Sequence, residues 1–346
     1  MIHATIPPVC ERSRGIAASR QDILIKPKGS LGRLEELAIQ LAAIQGVERP
    51  RADRGAVFVM SGDHGVVAEG VSPCPQVVTR QQTLNFASGR GAIAVLSRHV
   101  GSRLVVTDIG VAGPGLSHPN LLSRRIAPGT ANMAHGPAMT REQAVAALRT
   151  GVEIVEAECD KGLDLAATGE MGIGNTTPAS AIISAYSGLD PEAVTGCGAG
   201  LDEAGRLRKA AVIRRALEVN RPDVSDPIDV LAKVGGFEIA GLAGVILGAA
   251  SRRVAVVVDG FISTSAALIA AEIDPAVKPY LIASHNSVER GHAFMMKRLG
   301  LRPLLDLDMR LGEGTGSMLA FQVIRSAVCA HNEMTTFAES DVTENP

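Results

Sequence analysis

Apolar positions along the chain fall into short unbroken runs, separated by longer stretches in which they recur every three to four residues. GAVFVM (55–60), RLVVTDI (103–109), LDLAAT (163–168), RVAVVVD (253–259), PYLIAS (279–284) and PLLDLD (303–308) are continuous rather than alternating, the pattern of strands buried on both faces. Between them, RLEELAIQLAAIQG (33–46) sets Leu34, Leu37, Leu41 and Ile44 on one helical face and stops at Gly46. TREQAVAALRTGVEIVEAECDKG (140–162) opens with Thr140 and Gln143 at capping-box spacing and ends at Gly162. IAGLAGVILGAA (239–250) is apolar all round but far short of the roughly 20 residues that a bilayer span needs, so it predicts a buried helix and no membrane segment. Strands alternating with helices predict an α/β fold built on a parallel, doubly wound sheet.

The two ends of the chain differ from its middle. Residues 1–30 and 321–346 carry helical or polar patterns without strand candidates. A small helical domain built from both termini is therefore expected beside a large α/β domain over 31–320. FAESDVTENP (337–346) reads as a solvated tail.

Composition narrows the function. Lys and Arg total 34 against 36 Asp and Glu, a formal charge of −2, which offers no electrostatic footprint for nucleic acid or an anionic membrane. With no Trp and two Tyr, base-stacking platforms are excluded as a theme. MIHATIPPVCERSRG has no apolar core of signal-peptide length. Cys10, Cys74, Cys159, Cys197 and Cys329 are odd in number, scattered and never in a C-x-x-C pair, as expected of reduced thiols in a cytoplasm.

The chemistry sits after the apolar runs. SGDHGV (61–66), GEMGIGNTTPAS (169–180), GFISTSA (260–266), SHNSVERGH (284–292) and MRLGEGTGS (309–317) hold a concentration of glycines, hydroxyls, acids and amides. In an open parallel sheet such loops share the carboxyl edge, where ligands bind. GEMGIGNTTPAS combines three close-approach glycines with Asn175, Thr176 and Thr177 at a helix start, a ready anion site; a glycine-rich turn with a threonine cap has the same pattern. It is neither G-x-x-x-x-G-K-[ST] nor G-x-G-x-x-G, which argues against ordinary ATP or NAD binding. TGCGAGLDEAGRLRKAAVIRRAL (195–217) adds a second glycine-rich turn and a basic helix with Arg206, Arg208 and Lys209. Cys197 has no base paired with it in the sequence, so it is not read as a nucleophile. LGEGTGS (311–317) flanks Glu313 with glycines; a helix dipole alone could favour an acid there, and a partly dry cleft would tune it to accept a proton. His64 and His285 lie in no H-x-x-x-H or acid-rich set, so they read as hydrogen-bonding support and no metal is expected.

Together these segments resemble the nicotinate-nucleotide–dimethylbenzimidazole phosphoribosyltransferases of cobalamin lower-ligand assembly. The matching stretches are KGSLGRLEELA (28–38), SGDHGV, VVTRQ (77–81) with Asn85-Phe86, GEMGIGNTTPAS, VGGFEIAGLAG (234–244), DGFIST (259–264), SHNSVERGH and LGEGTGS, in family order. The resemblance implies transfer of the 5-phosphoribosyl group of nicotinate mononucleotide to 5,6-dimethylbenzimidazole, giving α-ribazole 5′-phosphate and nicotinate. It also implies a Rossmann-like sheet with a small helical domain, a homodimer and no cofactor. It makes Glu313 the general base, and it assigns the ribotide and its phosphate to Glu170, Met171, Gly172, Thr176, Gly198, Lys209, Ser287 and Gly312. The base slot is expected along SPCPQVVTRQQTLNF (72–86), with Gln76 and Leu84 facing the base and Cys74 close by; which lower-ligand base is preferred stays open. A non-catalytic nicotinate-nucleotide sensor is the alternative, which retention of Glu313 disfavours.

Overall fold

A computed structural model describes residues 5–343. Six strands form one sheet: β1 (Gly55–Gly62), β2 (Arg103–Gly110), β3 (Leu121–Ser123), β4 (Leu165–Met171), β5 (Ala255–Val258) and β6 (Leu281–Ala283). Their order is β3-β2-β1-β4-β5-β6, and every neighbouring pair is parallel. The winding reverses between β1 and β4, so the crevice at their carboxyl ends is the place where such sheets bind ligands.

Side-chain alternation along β1 explains the two helical layers. A Cβ on Gly55 would meet the Phe321 ring at 2.4 Å, and one on Gly314 would meet Val57 Cγ2 at 2.8 Å. The odd side thus faces the helix Thr315–Glu333. Met60 lies against Gly241, so the even side faces the helix Phe237–Ser251, all of it buried apart from its last residue. Gly151 and Gly244 let that helix pack against Arg141–Asp160 almost backbone to backbone, since an added Cβ would sit 1.9 Å from the Gly241 and Leu148 carbonyl oxygens. The expected capping box at Thr140 and Gln143 opens the helix Arg141–Asp160. Gly46 ends Arg33–Gln45 in a left-handed turn.

Two strand expectations are corrected. PLLDLD (303–308) lies outside the sheet, joined to it by a single bridge between Leu305 and His285. Pro303 brings no amide, Asp308 turns left-handed at φ 53°, and Leu307 is exposed. Conversely, β3 is a strand that the apolar pattern did not announce, because it is three residues long with two of them exposed. The expected run at 163–168 shifts and lengthens to Met171, which puts Glu170 and Met171 on the strand itself.

The terminal segments meet in space. The helix Glu11–Ile23 packs on Arg33–Gln45, Leu24 bridges Thr336, and Arg20 donates to the carbonyls of His331 and Met334. The helix Thr315–Glu333 runs unbroken through the expected boundary at 320–321. Residues 1–4 and 344–346 of the terminal division lie outside the described residues.

Candidate active site

The loops after β1, β4, β5 and β6 converge with the 308–313 segment around a cleft of about 580 Å³, within the usual range for small-molecule sites. Glycines make the convergence possible. A Cβ on Gly172 would lie 2.3 Å from the Gly62 carbonyl oxygen, and one on Gly169 would lie 2.3 Å from the Glu313 carbonyl oxygen. The β1, β4 and Glu313 loops therefore touch where the sheet reverses.

Glu313 adopts a left-handed backbone at φ 65°, a conformation that costs a side-chain-bearing residue about 1–3 kcal/mol unless its surroundings enforce it. Asp259, at the end of β5, supplies that enforcement. Its carboxylate accepts the amides of Gly314 at 3.1 Å and Ser317 at 3.0 Å, capping the helix Thr315–Glu333. The Glu313 carboxylate, 5% exposed at the residue level, accepts the Ile93 amide at 3.4 Å. Burial pushes its pKa up, the Ile93 amide opposes this and the Asp259 charge adds to it.

Glu170 is the penultimate residue of β4, with its carboxylate held by the Asn175 amide. Burial, joined by the charges of Asp259 and Glu238, pushes it up to about 8, against the hydrogen bonds from Asn175 and the Glu313 main chain. Burial also raises Asp259, against His285 and the main-chain amides. Among the described residues none of these three carboxylates forms a salt bridge with Lys or Arg; Asp259 has only His285, at 3.8 Å.

Asn175, which holds Glu170, also begins the helix Thr176–Ser187. Lys209 reaches it from behind: its Nζ donates to Thr176 Oγ1 at 2.5 Å while the residue is 1% exposed. Burial pulls this ammonium down to about 8, opposed by Glu289 and Cys197. Gly198 leaves open the space beside them, since a Cβ there would stand 3.0 Å from Thr176 Oγ1 and 3.4 Å from Lys209 Nζ. Beneath the β1 loop, His64 Nε2 lies 2.9 Å from Glu238 Oε1 in the interior, misaligned for a hydrogen bond. Burial disfavours its charged form, but Glu238 and Asp63 outweigh that and raise its pKa.

The sequence profile of a phosphoribosyltransferase family matches residues 6–342. A Chloroflexus aggregans protein named nicotinate-nucleotide–dimethylbenzimidazole phosphoribosyltransferase is 56% identical over 339 residues, covering 98% of this chain and 96% of that one. A Roseiflexus protein of the same name is 54% identical with the same coverage. The chain belongs to this family. A crystal structure of CobT from Thermus thermophilus matches with a TM-score of 0.93 at 46% identity, over 96% of this chain and 100% of that one.

Of the residues singled out by resemblance to the phosphoribosyltransferase family, Glu170, Met171, Gly172, Thr176, Gly198, Ser287, Gly312 and Glu313 all line the cleft. Lys209 stands one layer behind it, through Thr176. Gln76 and Leu84, expected to face the base, are not among the wall residues, whereas Val78 and Gln82 of the same helix, Val77–Ala87, are. Gln76 is two residues before Val78 and Leu84 two after Gln82, each roughly 140° round the helix from the middle of the cleft-facing pair. The Gln76 amide instead donates to the His64 carbonyl at 3.1 Å. Sequence reasoning passed over Asp259 and the cleft-facing role of His285; the strand-end position of Asp259 in DGFIST was the one signal for it.

Proposed function

We propose that this chain transfers the 5-phosphoribosyl group of nicotinate mononucleotide to 5,6-dimethylbenzimidazole or a related base, releasing α-ribazole 5′-phosphate and nicotinate for the nucleotide loop of cobalamin. The observation that carries this reading is a cleft that combines buried carboxylates with a buried ammonium. Among the described residues Glu170, Asp259 and Glu313 form no salt bridge with Lys or Arg, and Lys209 supports the helix start at Thr176. A substrate with a cationic pyridinium ring and an anionic phosphate complements both, whereas a neutral nucleoside would complement neither.

The chemistry needs little else. One nitrogen of the incoming imidazole attacks C1′ as the C1′–N bond to the pyridinium breaks. The bonding pair leaves with the ring, so nicotinate departs with a neutral ring nitrogen and needs no general acid. The other imidazole nitrogen loses its proton to Glu313, whose raised pKa suits it to accept one. Attack opposite the departing ring converts the β-ribotide into an α-ribotide. Carboxylates at the strand ends favour the positive charge that builds on the ribose as the bonds exchange. Holding both rings in line over one ribose supplies much of the remaining acceleration.

The base slot runs along Val78 and Gln82, and Glu170, Met171, Gly172, Thr176, Gly198, Lys209, Ser287 and Gly312 hold the ribotide. We further read the chain as a cytoplasmic homodimer with its terminal segments forming a small helical domain. Five free cysteines and the absence, among the described residues, of a helix long and apolar enough to cross a membrane support that setting. Mass spectrometry of the purified protein with nicotinate mononucleotide and 5,6-dimethylbenzimidazole tests the reaction. Equimolar nicotinate and α-ribotide are expected; nucleotide binding without either product would return the sensor alternative.

A further inference from the structure

Two histidines follow β6, and their hydrogen bonds separate their roles. His292 is fully used. Its Nδ1 accepts the Ser287 amide at 3.1 Å, and its Nε2 lies 3.3 Å from Thr264 Oγ1, whose own proton goes to the Gly260 carbonyl at 2.8 Å. The Thr264 oxygen therefore accepts from Nε2–H, which fixes the neutral tautomer and leaves His292 nothing to offer a ligand.

His285 is half used. Its Nδ1 lies 3.0 Å from Ser284 Oγ and 3.8 Å from Asp259 Oδ1, while no described residue hydrogen-bonds its Nε2. The residue is 2% exposed yet forms part of the cleft wall. Two glycines clamp the ring. A Cβ on Gly316 would stand 2.0 Å from Nδ1, and one on Gly260 would stand 3.2 Å from Cε1 and 3.3 Å from Nε2. Nε2 is not among the sealed polar atoms of the interior but opens to the cleft, where the clamped ring holds it rigidly for a ligand to partner.

Its position narrows the ligand group. Along the chain, Ser287 stands two residues away and shares the cleft wall with Thr176 and Gly198, and Asp259 ties the Nδ1 edge of the ring to the Glu313 loop. Between a phosphate site and a reacting base lies the pentose. We infer that His285 Nε2 binds a hydroxyl of the ribose, with Ser284 and Asp259 orienting the ring through Nδ1; the inference rests on the transferase reading above. With the Nδ1 proton directed to the Ser284 and Asp259 side, Nε2 accepts and the ribose hydroxyl donates. No bond is made or broken, so His285 is a substrate-binding residue that registers the ribose relative to Glu313.

A cycle of variants and substrates tests it. Nicotinate mononucleotide and its 2′-deoxy and 3′-deoxy forms are assayed with wild type, His285→Ala and His285→Gln, with thermal melting to check folding. With the full substrate, His285→Ala should lower kcat/KM by about 10–100-fold, the scale of a buried hydrogen bond lost on one side. With one of the two deoxy substrates that loss should shrink to about threefold or less, and His285→Gln should recover part of it with the full substrate. A variant-to-wild-type ratio that stays the same for all three substrates overturns the contact. If His285→Ala does not fold, the same comparison is read on His285→Gln. A wild type that fails to turn over the full substrate sinks the transferase reading and this inference with it, whereas unchanged ratios in an active enzyme sink the His285 contact alone.

Discussion

Around Thr176 a single ammonium, Lys209, is buried against one hydroxyl; around the Glu313 loop Glu170, Asp259 and Glu313 are buried and, among the described residues, none forms a salt bridge with Lys or Arg. Burial disfavours charge of either sign, so it drives Lys209 down and the carboxylates up. The means of support differ. Asp259 and Glu313 are held by main-chain amides of helix starts, which cannot move without the sheet edge moving. Lys209 hangs from a flexible stem. The carboxylate end is thus built for placement and the ammonium end for affinity, and substitutions at the two ends should separate turnover from binding.

Glu313→Gln should give the largest effect. It keeps the size of the side chain and a hydrogen-bonding amide but cannot accept the imidazole proton, so kcat should fall by about 10²–10⁴, the usual share of a general base. Calorimetric affinity for nicotinate mononucleotide should change little. Near-normal turnover would move the base elsewhere, with Glu170 next in line. Lys209→Ala should show the opposite split, weakening nicotinate mononucleotide by about 1.5–3 kcal/mol, the range for hydrogen bonds to charged groups, while kcat at saturation changes less. If the variant and wild type use the unphosphorylated nicotinate riboside and the mononucleotide in the same proportion, Lys209 has no part in phosphate binding.

The same contrast marks what could be read from sequence. Glu170 and Glu313 stood out because glycines surround them, and glycine at a strand end signals close backbone approach. Asp259 did not, since an acid at the end of an apolar run looks like any turn residue until the amides it accepts are seen. The central strands were legible because both their faces are buried. PLLDLD looked the same but is half exposed, with Pro303 unable to extend a ladder. The helix Val77–Ala87 is less legible for a different reason: it buries Thr79 and Thr83 and exposes Val77, so its apolar residues do not mark its inward face.

The two flanks of this helix carry their own test. Gln82→Ala should change the ratio of kcat/KM for benzimidazole over 5,6-dimethylbenzimidazole by about fivefold or more, close to the 1 kcal/mol lower limit for discriminating a methyl group in an apolar slot. Leu84→Ala should leave that ratio within about twofold. The reverse result would turn the base slot to the Gln76 and Leu84 flank.

The smallest effect is a fraction of a proton, and it probes both ends at once. Burial holds Glu170 up at about 8 and Lys209 down at about 8. Near about pH 7 the free protein then carries Glu170 mainly as the neutral acid and Lys209 mainly as the ammonium. A bound pyridinium lowers the Glu170 pKa and expels its proton, while Lys209 already holds the proton that a phosphate would favour, so binding releases protons. Near about pH 9 Glu170 is already ionised and Lys209 has lost its proton, so the phosphate draws one in and binding takes up protons. The exchange should change sign between the two conditions. Calorimetry of nicotinate mononucleotide binding in buffers of different ionisation enthalpy measures this directly. Glu170→Gln should abolish the release near about pH 7 and keep the uptake near about pH 9, and Lys209→Ala should do the converse. Exchange of one sign at both values would mean that the two ends do not answer to opposite charges on the ligand, and the contrast between them would fail.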